Sequence, residues 1–146
     1  MIKDIISFSI ASENIYAIEL QKTPIIVSAI EHIKKETLLK DSRFYFQFED
    51  ILVEVIDLKY CLESISSNLN ENSKILIGDF ENNFYGILVD KVNEIINLPL
   101  NAEKRITDKN IKKLDFISEE IIIAEASYIL IDFERLIENL HLTKIG

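Results

Sequence analysis

The sequence predicts an all-β protein with short helices, arranged as two β subdomains in approximate pseudo-twofold repeat. Short runs rich in Ile, Val, Phe and Tyr recur along the chain, separated by small polar clusters rather than by long amphipathic helical stretches. Two pairs of segments echo each other at similar offsets. Hydrophobic residues make up 48% of the 146 positions and charged residues 28%, with three glycines and two prolines, a composition that supports a buried core and order nearly throughout.

Taken in order, Ile5 to Ile10 and Ile15 to Leu20 flank Ala11-Ser12-Glu13-Asn14 and read as a first hairpin. Phe44 to Phe48 and Ile51 to Ile56 flank Glu49-Asp50 as a second. Lys74 to Phe80 and Phe84 to Val89 flank Glu81-Asn82-Asn83, where asparagine tolerates the positive φ of a tight turn. Ile121 to Glu125 followed by Tyr128 to Ile131 gives a fourth. Asp57 before Leu58-Lys59-Tyr60-Cys61-Leu62-Glu63, and Asp132 before Phe133 to Glu138, each place a carboxylate at a helix start. The stretch Ile25 to Lys35 fits a helical face and a twisted strand equally well.

Tyr16 in Asn14-Ile15-Tyr16-Ala17-Ile18 and Tyr85 in Asn83-Phe84-Tyr85-Gly86-Ile87 are 69 residues apart, and Asp57 and Asp132 are 75 apart. The same supersecondary plan used twice follows from these offsets, giving a single domain over 1–146 whose two intertwined β subdomains join near 66–73, the most loop-like stretch.

Several functions are disfavoured by the same reading. The net charge of −9, with no Lys/Arg cluster, repels nucleic acid. The amino end lacks a secretory signal and no apolar run approaches membrane-spanning length, so a cytoplasmic protein without direct membrane insertion is expected. Cys61 is the only cysteine and reads as a small core residue. His32 and His141 have no metal-site spacing, and no glycine-rich phosphate cradle exists, so no catalytic residue, metal or cofactor is expected. Asp57, Asp90 and Asp132 at strand ends could build a small carboxylate-site enzyme. Capping of the following helix or turn accounts for the repeated position more simply.

Three blocks carry a family resemblance: Leu52-Val53-Glu54-Val55-Ile56-Asp57-Leu58; Gly86-Ile87-Leu88-Val89-Asp90-Lys91-Val92-Asn93-Glu94-Ile95; and Ile129-Leu130-Ile131-Asp132-Phe133-Glu134-Arg135-Leu136. In order and spacing they resemble the CheW family of chemotaxis coupling proteins, over nearly the whole chain. The resemblance implies two SH3-like five-stranded barrels packed on a shared apolar seam. It also implies a non-enzymatic adaptor that joins chemoreceptors to a CheA-type histidine kinase. The expected partners are the kinase's regulatory domain or another CheW-like domain, and the chemoreceptor's cytoplasmic tip.

The chain departs from the family at its signature. Where the family carries asparagine, leucine, arginine and glycine, this sequence has Gln47-Phe48-Glu49-Asp50, and Ile25 stands where the arginine's usual glutamate partner would be. These five positions are the expected partner-binding residues, together with Glu119 and Glu120, read as a matching acidic turn in the second half that would complete an acidic rim. A changed partner, with the fold serving assembly or regulation outside standard receptor coupling, is the alternative this departure raises.

Overall fold

A computed structural model describes residues 4–10, 13–33, 43–98, 103–105 and 115–145. Eleven strands and two α-helices are assigned: β1 (Asp4–Ser9), β2 (Tyr16–Glu19), β3 (Ile25–Ser28), β4 (Arg43–Phe48), β5 (Ile51–Asp57), α1 (Leu58–Glu63), β6 (Lys74–Phe80), β7 (Asn83–Val89), β8 (Lys91–Asn97), β9 (Glu103–Arg105), β10 (Ile117–Ile123), β11 (Ala126–Ile131) and α2 (Phe133–Ile145). A 3-10 turn at Leu20–Lys22 links β2 to β3.

The strands form two sheets, one ordered β8-β1-β2-β11-β10-β9 and the other β3-β6-β7-β5-β4. Omitting β9, the two orders are the same plan: an antiparallel hairpin at the centre, a parallel partner after it, then that partner's own hairpin mate. Tyr16 lies opposite Ile129 in one parallel pair and Tyr85 opposite Glu54 in the other, so the offsets of 69 and 75 residues reproduce the register. This is the two-barrel fold, with β9 as a sixth strand on one sheet where five were expected.

The second sheet is one continuous stretch of chain, Ile25 to Val89, inserted between β2 and β8 of the first. After β2 the chain crosses to the second sheet, where β3 pairs with β6, and after β7 it crosses back through Asp90, where β8 pairs with β1. Residues 66–73 join α1 to β6 inside the second sheet, so they are not the passage between the sheets; the crossings are at 20–24 and at Asp90.

The two sheets share a buried seam. Ile6, Phe8, Ile18, Ile56, Leu76, Ile87, Val89, Ile131, Leu136 and Ile137 form one cluster drawn from both sheets and α2. Each barrel keeps a second cluster of its own, around Val53, Val55, Ile75 and Leu88 in one and around Ile5, Ala17, Ile121 and Leu130 in the other. Such clusters, being area removed from water, supply the main favourable term in folding.

Turn chemistry differs from expectation in two places. The third hairpin closes through Glu81-Asn82, both at positive φ, with Asn83 already in β7. The fourth closes through Ala124-Glu125, also at positive φ (46° and 72°), two residues earlier than the sequence suggested. The stretch left open between strand and helix is β3 followed by a turn through Ala29 to His32; Lys34 and Lys35 lie outside the described residues.

Candidate functional site

Four of the expected partner-binding residues sit together on the β4–β5 hairpin. Strand alternation directs Phe44, Phe46 and Phe48 to the barrel interior and leaves Tyr45 and Gln47 outside. The tip is a two-residue turn between the paired Phe48 and Ile51, with Glu49 at φ 53° and both Glu49 and Asp50 exposed. Gln47 Nε2 donates to the Glu49 carbonyl at 3.3 Å. Phe48 is half-buried against the barrel cluster and meets the His32 ring edge-on at 5.8 Å, while Phe46 meets the same ring at 5.2 Å. His32 Nδ1 in turn lies 2.9 Å from the Ser28 carbonyl. Aromatic contacts thus hold the hairpin to the turn after β3.

Ile25 lies on β3, at the opposite edge of that sheet, paired with Ile77. Ile25 and Phe48 nevertheless pack against the same cluster, the one that contains Val53 and Ile75.

The second half does not repeat the acidic turn at the expected residues. Glu119 and Glu120 are within β10, and the register places Ala124-Glu125, not Glu119-Glu120, as the counterpart of Glu49-Asp50. Glu120 is only 8% exposed and accepts a hydrogen bond from Ser127 Oγ, so it is not part of an open rim. An acidic pair resembles a turn in sequence; here a register irregularity between Ile117 and Glu119 absorbs it into the strand.

Two of the three strand-end aspartates cap helices. Asp57 Oδ1 accepts from Tyr60 N–H at 3.4 Å, and Asp132 Oδ1 from Arg135 N–H at 3.1 Å. Asp57 is also bound by Ser67 through its N–H (2.8 Å) and its Oγ (2.6 Å), which fastens the chain after α1. Asp90 differs, because no helix or turn follows it. Its N–H donates to the Ser9 carbonyl, while its buried Oδ1 has no hydrogen-bond partner among the described residues. Burial pushes the Asp90 carboxyl above the ordinary carboxylate range, against a smaller opposing pull from Lys59 and with support from Asp57 and Glu63.

A cleft of about 260 Å³ opens beside the other crossing, lined by Glu19, Lys22, Leu130, Asp132 and Glu134 among others. Its lysine is taken: Lys22 Nζ lies 3.1 Å from Glu134 Oε2, and that hydrogen bond raises the Lys22 pKa. Among the described residues no group of His, Cys, Asp and Glu side chains could hold a metal ion. Cys61 is half-buried at the edge of the shared seam. No helix of the described residues is long and apolar enough to cross a membrane.

Two exposed side chains went unmarked in the sequence. Tyr45 and Leu52, 56% and 58% exposed, lie on the outer face of the β4–β5 hairpin, beside Gln47 and Glu54. Tyr45 Oη donates to Glu54 Oε1 at 3.3 Å. Alternation already put Tyr45 outside, and the pairing of Leu52 with Gln47 extends an apolar strip toward the acidic tip.

The fold has a solved counterpart in the scaffolding protein TtCheW from Thermoanaerobacter tengcongensis, with a TM-score of 0.74 at 21% identity over 93% of this chain and 88% of that one. No curated protein matches the chain in sequence. The CheW-like domain model, by contrast, matches residues 4–141, a span holding both barrels, both crossings and the hairpin with the altered signature, and the chain therefore belongs to the CheW-like domain family.

Proposed function

We propose that this chain is a non-enzymatic, cytoplasmic adaptor of chemotaxis signalling that joins a CheA-type kinase's regulatory domain, or another CheW-like domain, to its assembly. The observation that carries the reading is the family match over both barrels. The hairpin supports it too, since it offers an aromatic residue, Phe48, held in place beneath an exposed acidic tip.

One observation favours a changed partner. Glu49 occupies the exposed turn where the family presents arginine, so a receptor tip suited to the usual arginine meets the wrong charge. Affinity for such a receptor should be weak, while the kinase regulatory domain binds in the micromolar range or tighter, roughly −8 kcal/mol.

Titration calorimetry against the host's own kinase domain and a receptor tip tests both statements. Absence of binding to every kinase and CheW-like domain of the host overturns the adaptor reading. For the receptor, Ile25→Glu and Glu49→Arg together should restore affinity beyond the sum of the single changes, with a coupling of about 0.5–3 kcal/mol. Strict additivity in folded variants removes Ile25 and Glu49 from the site.

A further inference from the structure

The two halves treat one equivalent edge differently. In the first sheet, β10 is flanked by β9, whose Arg105, Lys104 and Glu103 lie opposite Glu120, Ile121 and Ile122. The 75-residue register makes Tyr45, Phe46 and Gln47 of β4 the counterparts of those three residues. β4 is nevertheless the terminal strand of its sheet among the described residues. Exposure follows the difference: Glu120 beside β9 is 8% exposed, and Tyr45 is 56% exposed.

Backbone geometry makes the β4 edge competent to pair. In an antiparallel hairpin closed by two residues, Phe48 and Ile51 exchange hydrogen bonds, as do Phe46 and Val53 at the next alternate position. The N–H and C=O groups of Gln47 and Tyr45 consequently point away from β5, toward the open edge. Over Phe44–Phe48 the strand has no proline, no charged side chain and no bulge against β5, three of the devices that guard an edge.

We propose that the β4 edge binds an extended, basic peptide segment of a partner protein, which adds antiparallel to β4 opposite Tyr45–Gln47 as β9 adds to β10. Main-chain hydrogen bonds supply the pairing, and the outer-face strip of Tyr45 and Leu52 receives alternate apolar side chains. Charge selects the partner. Glu54 lies beside Tyr45, Glu49 and Asp50 form the tip, and the chain carries −9 overall, so basic residues are attracted and a second copy of this chain is repelled. This inference is independent of the adaptor reading, because it rests on the unequal edges alone.

The probe is a synthetic peptide of alternating lysine and valine, with a glutamate-valine peptide and a lysine-valine peptide N-methylated at alternate residues as controls. Binding is read by chemical-shift change and amide-exchange protection on the full chain. The lysine peptide should protect the Tyr45 and Gln47 amides. Loss of two or three main-chain hydrogen bonds should weaken the N-methylated peptide about tenfold or more. Gln47→Pro, which removes an outward N–H but no bond to β5, should weaken binding similarly; should that variant not fold, the N-methylated peptide still decides. Equal binding of the N-methylated peptide, or no protection at Tyr45 and Gln47, overturns the proposal. So does protection of these amides that deepens with protein concentration in the absence of peptide, because the occupant is then a second copy.

Discussion

Asp57, Asp90 and Asp132 look alike in sequence, each closing an apolar strand, but the structure gives them different work. Helix starts at Leu58 and Phe133 made two of the caps readable. Nothing local revealed that Asp90 is a single-residue passage between sheets, because its environment comes from Ser9, Lys59 and Asp57, all distant in sequence. Its buried carboxyl titrates above the usual range, chiefly through desolvation. A carboxyl whose folded pKa exceeds its unfolded value favours the folded state in its protonated form. Its contribution is fully present below the unfolded value and is lost as pH rises through the folded value. Asp90→Asn keeps the size and cannot ionise, so its stability relative to the natural chain should rise from acid to neutral pH. Urea midpoints at both ends of that range check this, and a gap that does not change with pH would sink it.

At the scale of elements, the hairpins were readable because their apolar runs and polar breaks are local. Ala124-Glu125 escaped because neither residue is a usual choice for positive φ, whereas Glu119-Glu120 imitated a turn inside β10. Close approach between elements was equally hidden. Neither Gly78 nor Gly86 has a positive φ; each is required by what lies above it. A Cβ at Gly78 would stand 1.9 Å from the Lys22 carbonyl oxygen, where the first crossing passes over β6. At Gly86 the nearest atom is Ile75 Cγ2 at 2.5 Å. The first obstacle is backbone; the second is a methyl on the branched Cβ of the fully buried Ile75, which can give only by shifting that side chain. Gly86→Ala should therefore fall within about 1–3 kcal/mol of overpacking cost, and Gly78→Ala should exceed it. Equal losses in denaturant unfolding would show that the crossing yields as easily as an isoleucine methyl.

Across the whole molecule, the sequence repeat announced two β subdomains but not how they are tied. The pairings that tie them, β3 with β6, β8 with β1 and β11 beside β2, join segments far apart in the chain and leave no local periodicity. The shared seam has a thermodynamic consequence. The second sheet, Ile25 to Val89, is inserted within the chain of the first, and the largest core cluster draws on both. Unfolding one barrel alone would open the shared seam around Ile56, Ile87, Ile131 and Leu136, exposing apolar surface on the barrel left behind. The two barrels should consequently unfold in one transition. Amide exchange of Ile18 in β2 and Ile87 in β7, both fully buried and in different sheets, should report the same opening free energy and the same denaturant dependence. An opening at Ile87 that costs clearly less than at Ile18, with a smaller denaturant slope, would mean that the second sheet unfolds by itself. The shared seam would then be a contact between independent units rather than the basis of one cooperative fold.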